Sequence, residues 1–214
     1  MTTKLSLILI AALILVGIII SVVVYPVLPA QVASHWNASN QVDGYMSRFW
    51  GVAMMPLITI AMAALFLAIP AIDPLKANIA QFRGVFNGFV VLMVVYMLYI
   101  HILTLVYNLG FIFPISVPMI PAMGLLFVFA GVMMGRSKRN YFIGIRTPWT
   151  LSNDTVWDET HKLGSKLFIA AGIISVLTVF MGENGFWLMM AIIMGAALVP
   201  VVYSYILFTR LEKK

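Results

Sequence analysis

The hydrophobic pattern of this chain is a series of long apolar runs separated by polar interruptions. Leu5 to Tyr25 is 21 residues without a charge, preceded by a single Lys4. Further runs cover Phe49–Ile72, Gly84–Tyr107, Ile115–Gly135, Gly164–Met181 and Phe186–Phe208. Apolar runs of about 18 or more residues predict transmembrane helices, because about 20 residues at 1.5 Å rise cross a hydrocarbon core of about 30 Å. The expected fold is an all-α integral membrane protein with six transmembrane helices. The first run is too long for a signal-peptide core and ends without a small-x-small cleavage site, so it reads as a retained span. Pro26 and Pro29 close it, and Asp73-Pro74 closes the second, since proline removes a helix donor and clashes with the preceding turn.

Composition agrees with the pattern. The chain is 63% hydrophobic and 9% charged, with a mean hydropathy of +1.05, which excludes an ordinary soluble domain. It has no cysteine, which excludes a disulfide, a thiol nucleophile and a cysteine-based metal site. The net charge of +6 raises the question of an acidic partner. Its distribution points to topology instead. With the N-terminus inside, twelve of the thirteen Lys and Arg fall on the inner side and only Arg48 falls outside. Lys and Arg collect in cytoplasmic loops, so both termini are expected in the cytoplasm of a multi-pass plasma-membrane protein. The bilayer is then the first partner, with no direct role for nucleic acid. Tyr25, Trp50, Tyr107 and Trp187 fall near the expected interfaces, where aromatic belts form.

Two interruptions are longer than connection requires, and such loops often carry function. The first is the outer loop, Pro26 to Arg48. It combines His35, Trp36, Asn37 and Asp43 with the turn formers Asn-Ala-Ser-Asn and Asp43-Gly44. Two readings are open: a small polar platform in which His35 and Asp43 contact a ligand, and a folded lid whose His and Trp pack against helix ends.

The second is the inner stretch Arg136 to Lys166, with six of the thirteen Lys and Arg and two of the five Trp. Arg136, Lys138 and Arg139 follow the fourth span directly and read as a juxtamembrane cluster favoured by anionic lipid. In Thr147-Pro148-Trp149 the proline holds Thr147 extended. Ser152 or Asn153 is a good helix N-cap, with Asp154 in the first turn where the helix dipole favours an acid. A helix is expected from Asn153 directly into the fifth span, with Lys162 and Lys166 snorkelling to the headgroups. Asp158 and Lys162 are spaced for an i,i+4 ion pair. Trp157, His161 and Gly164 share one helix face, either as a packing pair or as a partner contact. No second histidine stands at helix spacing from His161, so no metal site is expected. No cofactor is expected either.

The run Gly144-Ile145-Arg146-Thr147-Pro148-Trp149-Thr150-Leu151-Ser152-Asn153, followed by Val156-Trp157, Thr160-His161 and Gly164, resembles the signature of the SdpI family of bacterial immunity proteins. The resemblance covers roughly Pro114 to Phe208. Leu28-Pro29, His35-Trp36-Asn37 and Asp43-Gly44 resemble the short domain of unknown function that often precedes it. Ser165 departs from the pattern, standing where members often have a second glycine. The resemblance implies a six-span protein that protects its producer from a secreted toxic peptide and captures a cognate transcriptional repressor at the membrane. It makes His35, Trp36, Asn37 and Asp43 toxin-facing candidates. Arg146, Thr147, Pro148, Trp149, Asn153, Trp157 and His161 become candidates for repressor docking or for holding the fold.

Three units follow: residues 1–50 (first span and outer loop), 51–113 (second and third spans) and 114–214 (the SdpI-like region). Within the spans the main ionisable residue is His101, a functional candidate by its cost in a membrane. The alternative is a neutral ring satisfied by a neighbouring helix carbonyl. The first functional reading is a binding and immunity protein without chemistry. A small transporter or channel-like protein, with His101 on its path, is the second. A membrane enzyme using His35 with Asp43, or His161 with Asp158, is the third, and nothing in the sequence brings those groups together around a nucleophile.

Overall fold

The structure, a computed structural model, describes residues 1–213, with nothing said of the Glu183 side chain. Lys214, counted above among the inner charges, lies outside the described residues. Six helices are long and apolar enough to cross a membrane. In order, the elements are α1 (Thr3–Val24), β1 (Gln31–Trp36), β2 (Val42–Ser47), α2 (Arg48–Ile72), α3 (Lys76–Gln81), α4 (Arg83–Asn108), α5 (Ser116–Met134), α6 (Pro148–Ser152), α7 (Asp154–Leu177) and α8 (Glu183–Glu212). The six-span expectation is met, with α2 ending before Asp73-Pro74 as expected. Thr2 caps α1 by accepting from the Leu5 N–H, and α1 gives way to a single 3-10 turn at Tyr25-Pro26.

The bundle has two halves. Helices α1, α2 and α4 pack on one another, as do α5, α7 and α8, and α4 against α5 joins the halves. The first half is cored by Ile10, Ala63, Phe82, Phe86, Val90 and Val94, and this cluster reaches across to Met133 and Ile143. In the second half, glycines set the spacing. A Cβ on Gly124 would stand 2.6 Å from the Gly172 carbonyl oxygen, and one on Gly172 would stand 2.5 Å from that of Gly124. Gly131 meets the backbone of Ser165 in the same way, at 2.8 Å. Without a hydrophobic force between helices in lipid, such close backbone approach is what gives van der Waals association. The outward faces are apolar, with Val22, Val23, Leu65 and Phe180 all well exposed, as lipid contact requires.

The N-terminus and the end of α8 lie on one face of the bundle, here the terminal face, together with α3, α6 and the start of α7. The opposite, hairpin face carries an element absent from the sequence reading. The outer loop is an antiparallel β-hairpin, β1 paired with β2, irregular between Ala33 and Trp36. Its turn is built by Asn37, whose side-chain oxygen accepts from the N–H groups of Ser39 and Gln41 (3.0 Å each), with Asn40 at φ 61°.

Candidate functional site

On the terminal face, residues 136–161 fold into a compact knot made of local caps and long-range polar contacts. Asn140, fully buried, organises the first turn. Its amide donates to the carbonyls of Lys138 (2.8 Å) and Ile143 (3.0 Å), while its oxygen accepts from the N–H groups of Phe142 and Ile143. Thr147 is extended, as the following proline requires, and caps α6 in a capping box with Thr150. Thr147 also meets Ser204 of α8 at 3.1 Å, and Trp149 packs on Tyr205 with ring centroids 5.0 Å apart. The knot is thereby bolted to the last helix.

Asn153 then caps α7, accepting from the N–H groups of Thr155 (2.9 Å) and Val156 (3.1 Å). The helix runs without a break into the fifth span, as expected. Its inner face carries Trp157 and His161, which stack with centroids 3.9 Å apart and ring planes 17° from parallel. The Trp157 indole N–H donates to the Ser137 carbonyl at 3.2 Å. His161 is fixed by two backbone groups that leave no freedom of tautomer. The Ile145 N–H can only donate, so Nε2 accepts (3.0 Å); the Trp157 carbonyl can only accept, so Nδ1–H donates (2.8 Å). The imidazole is neutral in this arrangement and spends both nitrogens on the fold. Gly144, at φ 105°, passes close against the Nε2 edge of the ring.

The knot is also tied to the first half. Asp73, 2% exposed, accepts from the Leu75 N–H (2.6 Å) and the Tyr141 N–H (2.9 Å), and Asn78 donates to the Arg139 carbonyl (2.8 Å). The expected Asp158–Lys162 pair does not form. Asp158 turns to Lys138 at 3.4 Å, Lys162 to Glu159 at 3.6 Å, and Arg139 to Asp154 at 2.9 Å. The loop before α7 folds back beside it and offers Asp158 a tertiary cation.

Of the seven inner candidates, Thr147, Trp157 and His161 are buried, Trp149 and Asn153 half-buried, and Arg146 and Pro148 exposed. Arg146 donates to the Tyr141 carbonyl at 2.7 Å. Sequence reasoning missed Asp73, Asn140, Thr150 and Ser204, whose partners are distant in the chain or lie in an irregular loop.

On the hairpin face, β1 and β2 are fastened at two points. Asn108, at the end of α4, grips Ala33 by both its N–H (2.7 Å) and its carbonyl (3.0 Å), as another strand would. Asn40 in the hairpin turn accepts from the Ser116 N–H at the start of α5 (2.8 Å). The hairpin therefore spans the two halves. Trp36 packs edge-on against Tyr107, centroids 5.0 Å apart, whereas His35 is well exposed and bonded to Asp43. Trp36 packs against the end of α4 as the lid reading expects, while His35 and Asp43 bond to each other at the exposed surface of the hairpin.

Beneath the hairpin lies a cavity of about 310 Å³ between the halves. Its wall is mostly apolar and rich in methionine, including Met46, Met54, Met55, Met119, Met123 and Met189, with Trp36 and Asn37 at the hairpin side. Methionine's unbranched, polarisable side chain adapts to varied apolar shapes. The Trp36 indole N–H is buried with no hydrogen-bond partner among the described residues.

His101 is buried on α4 between α1 and α2. Its Nε2 lies 2.8 Å from Ser21 Oγ, which is also 2.9 Å from the Gly17 carbonyl and 3.1 Å from that of Val52. Ser21 Oγ thus links the imidazole of α4 to backbone carbonyls of α1 and α2. The expectation of a neighbouring helix carbonyl as direct partner is corrected: the Ser21 hydroxyl stands between the ring and the carbonyls of Gly17 and Val52. Among the described residues no group of three His, Cys, Asp or Glu is placed to hold a metal ion.

These features define a six-span protein of the plasma membrane in which an N-terminal half with a hairpin is tied to a C-terminal half with a polar knot. Residues 136–204 match the SdpI/YfhL protein family, and residues 12–60 match a domain of unknown function, DUF1648. It is 25% identical over 193 residues to the immunity protein SdpI of Bacillus subtilis (strain 168), a match covering 90% of each chain. No solved structure matches it. The SdpI/YfhL match begins at Arg136 and covers the knot, α7 and the first two-thirds of α8.

Proposed function

We propose that this chain is an immunity protein that protects its cell from a secreted toxic peptide by binding, without chemistry. The observation that carries the reading is the similarity to the immunity protein SdpI across 90% of both chains. In this reading the terminal face is cytoplasmic and the hairpin face external, as the twelve-to-one division of Lys and Arg favours. The peptide meets the exposed His35–Asp43 pair and Asn37, and an apolar side chain enters the methionine-lined cavity. The unpartnered Trp36 N–H offers a donor to a peptide carbonyl at that wall, an attractive role because an unsatisfied buried donor costs about 1–3 kcal/mol. On the inner side, Arg146, Pro148 and Trp149 form the accessible surface for a cytoplasmic repressor, and Thr147, Asn153, Trp157 and His161 hold its shape from behind.

Expression in a toxin-sensitive bacterium tests the reading. Survival rises under challenge with the cognate class of peptide. Unchanged killing across a panel of secreted peptide toxins, at verified membrane expression, contradicts it.

A further inference from the structure

A second crevice opens on the terminal face, at the junction of the halves, with residues of the knot on its rim. Its walls are α4 and α5, which pack against each other across the junction of the halves. It encloses about 950 Å³ and is lined by Phe82, Val85 and Gly88 on one side and by Phe129, Val132 and Met134 on the other. Gly88 and Phe129 each lie five residues inside a helix end, about 7 Å at 1.5 Å per residue, so the apolar part reaches down into the bundle. Gly88 contributes no side chain, and a Cβ there would stand 3.3 Å from the Phe129 ring, which marks how narrow the floor is.

The rim is of opposite character. Arg136, Lys138 and Lys162 surround the mouth together with Asp158 and Glu159. Lys138 is 3.4 Å from Asp158 and Lys162 is 3.6 Å from Glu159, so both carboxylates are already engaged. Arg136 is exposed and has no carboxylate partner among the described residues. A planar guanidinium suited to phosphate therefore hangs over an apolar slot between two transmembrane helices.

We propose that this crevice is a binding site for an anionic phospholipid, with its phosphate on Arg136, flanked by Lys138 and Lys162, and an acyl chain between α4 and α5. Charge complementarity selects the headgroup, and the apolar floor selects a lipid over a soluble anion. The bound lipid bridges α4 and α5, the helices by which the two halves meet.

Native mass spectrometry of the full chain, extracted in mild detergent from nanodiscs of equal phosphatidylglycerol and phosphatidylcholine, tests the proposal. One phosphatidylglycerol is retained in preference to phosphatidylcholine. Arg136→Gln lowers that preference about fivefold, near the effect of one basic residue at an anionic surface. Lys4→Gln removes the same charge from the terminal face, outside the crevice, and leaves the preference unchanged. Equal retention of both lipids, or an equal fall in both variants, overturns the site in favour of annular lipid held by general electrostatics. Complete displacement by glycerol phosphate, which has no acyl chain, overturns the lipid assignment and leaves an anion site.

Discussion

Gly144 crosses His161 so closely that any side chain at position 144 would collide with the imidazole Nε2. The contact is the pivot of the knot, because the same nitrogen accepts the Ile145 N–H next in the chain. Gly144 also has φ 105°, a conformation that L side chains rarely adopt. Gly144→Ala therefore combines a clash with backbone strain, and should cost about 1–3 kcal/mol. Thermal unfolding in detergent checks it: the variant melts well below wild type, and an unchanged midpoint would show that the loop is free to move away.

Trp157 and Asp154 give a contrast within one helix. Trp157 is fully buried, stacked on His161 and bonded to Ser137, so Trp157→Ala should cost about 3–5 kcal/mol through cavity and lost packing. Asp154 is 73% exposed in its pair with Arg139, so Asp154→Ala should cost no more than about 1 kcal/mol. Chemical denaturation of both, read by helical signal, orders them. The reverse order would mean that α7 presents a different face.

The glycine seam between α5 and α7 makes a third prediction. Gly172→Leu places four carbons where a Cβ already meets the Gly124 carbonyl oxygen at 2.5 Å. The helices must part, and membrane-inserted but protease-sensitive protein is expected. Gly195→Leu, on α8 with nothing within 4 Å of its Cβ, should leave protease resistance unchanged. Equal sensitivity of the two would remove the seam from the account.

How much of this was legible in the sequence follows the reach of each interaction. The six spans were readable because hydropathy over about 20 residues is decisive by itself. The Asn153 cap, the uninterrupted α7 and the shared face of Trp157 and His161 were readable because they depend on neighbours within two turns. The β-hairpin was not. Val32 and Ala33 are buried side by side, so strict alternation fails, and its fastening by Asn108 and Asn40 joins residues 75 and 76 positions apart. Asp158 was misassigned for the same reason: its helical neighbour Lys162 competes with Lys138 from the folded-back loop, and only the fold shows which one prevails. The α5–α7 seam does have a local sequence signal, the recurrence of glycine at 124, 131 and 135 on one helix and at 164 and 172 on the other.

On the hairpin face, ligand contact and stability should separate. His35→Ala and Asp43→Asn alter exposed groups and should shift unfolding by no more than about 0.5 kcal/mol. Under the immunity reading they weaken protection against the peptide. Full protection by both variants would move the contact elsewhere on that face.

The most direct test of the central claim is a dose–survival curve of toxin-sensitive cells expressing either the wild-type chain or Met123→Trp, which fills the cavity beneath the hairpin. The account predicts that wild type shifts the lethal dose of a secreted toxic peptide upward. It predicts that Met123→Trp, at equal membrane abundance and with its melting temperature held, loses most of that shift. No shift with wild type would contradict the immunity reading itself, and a full shift with Met123→Trp would contradict the cavity as the place where the peptide is met.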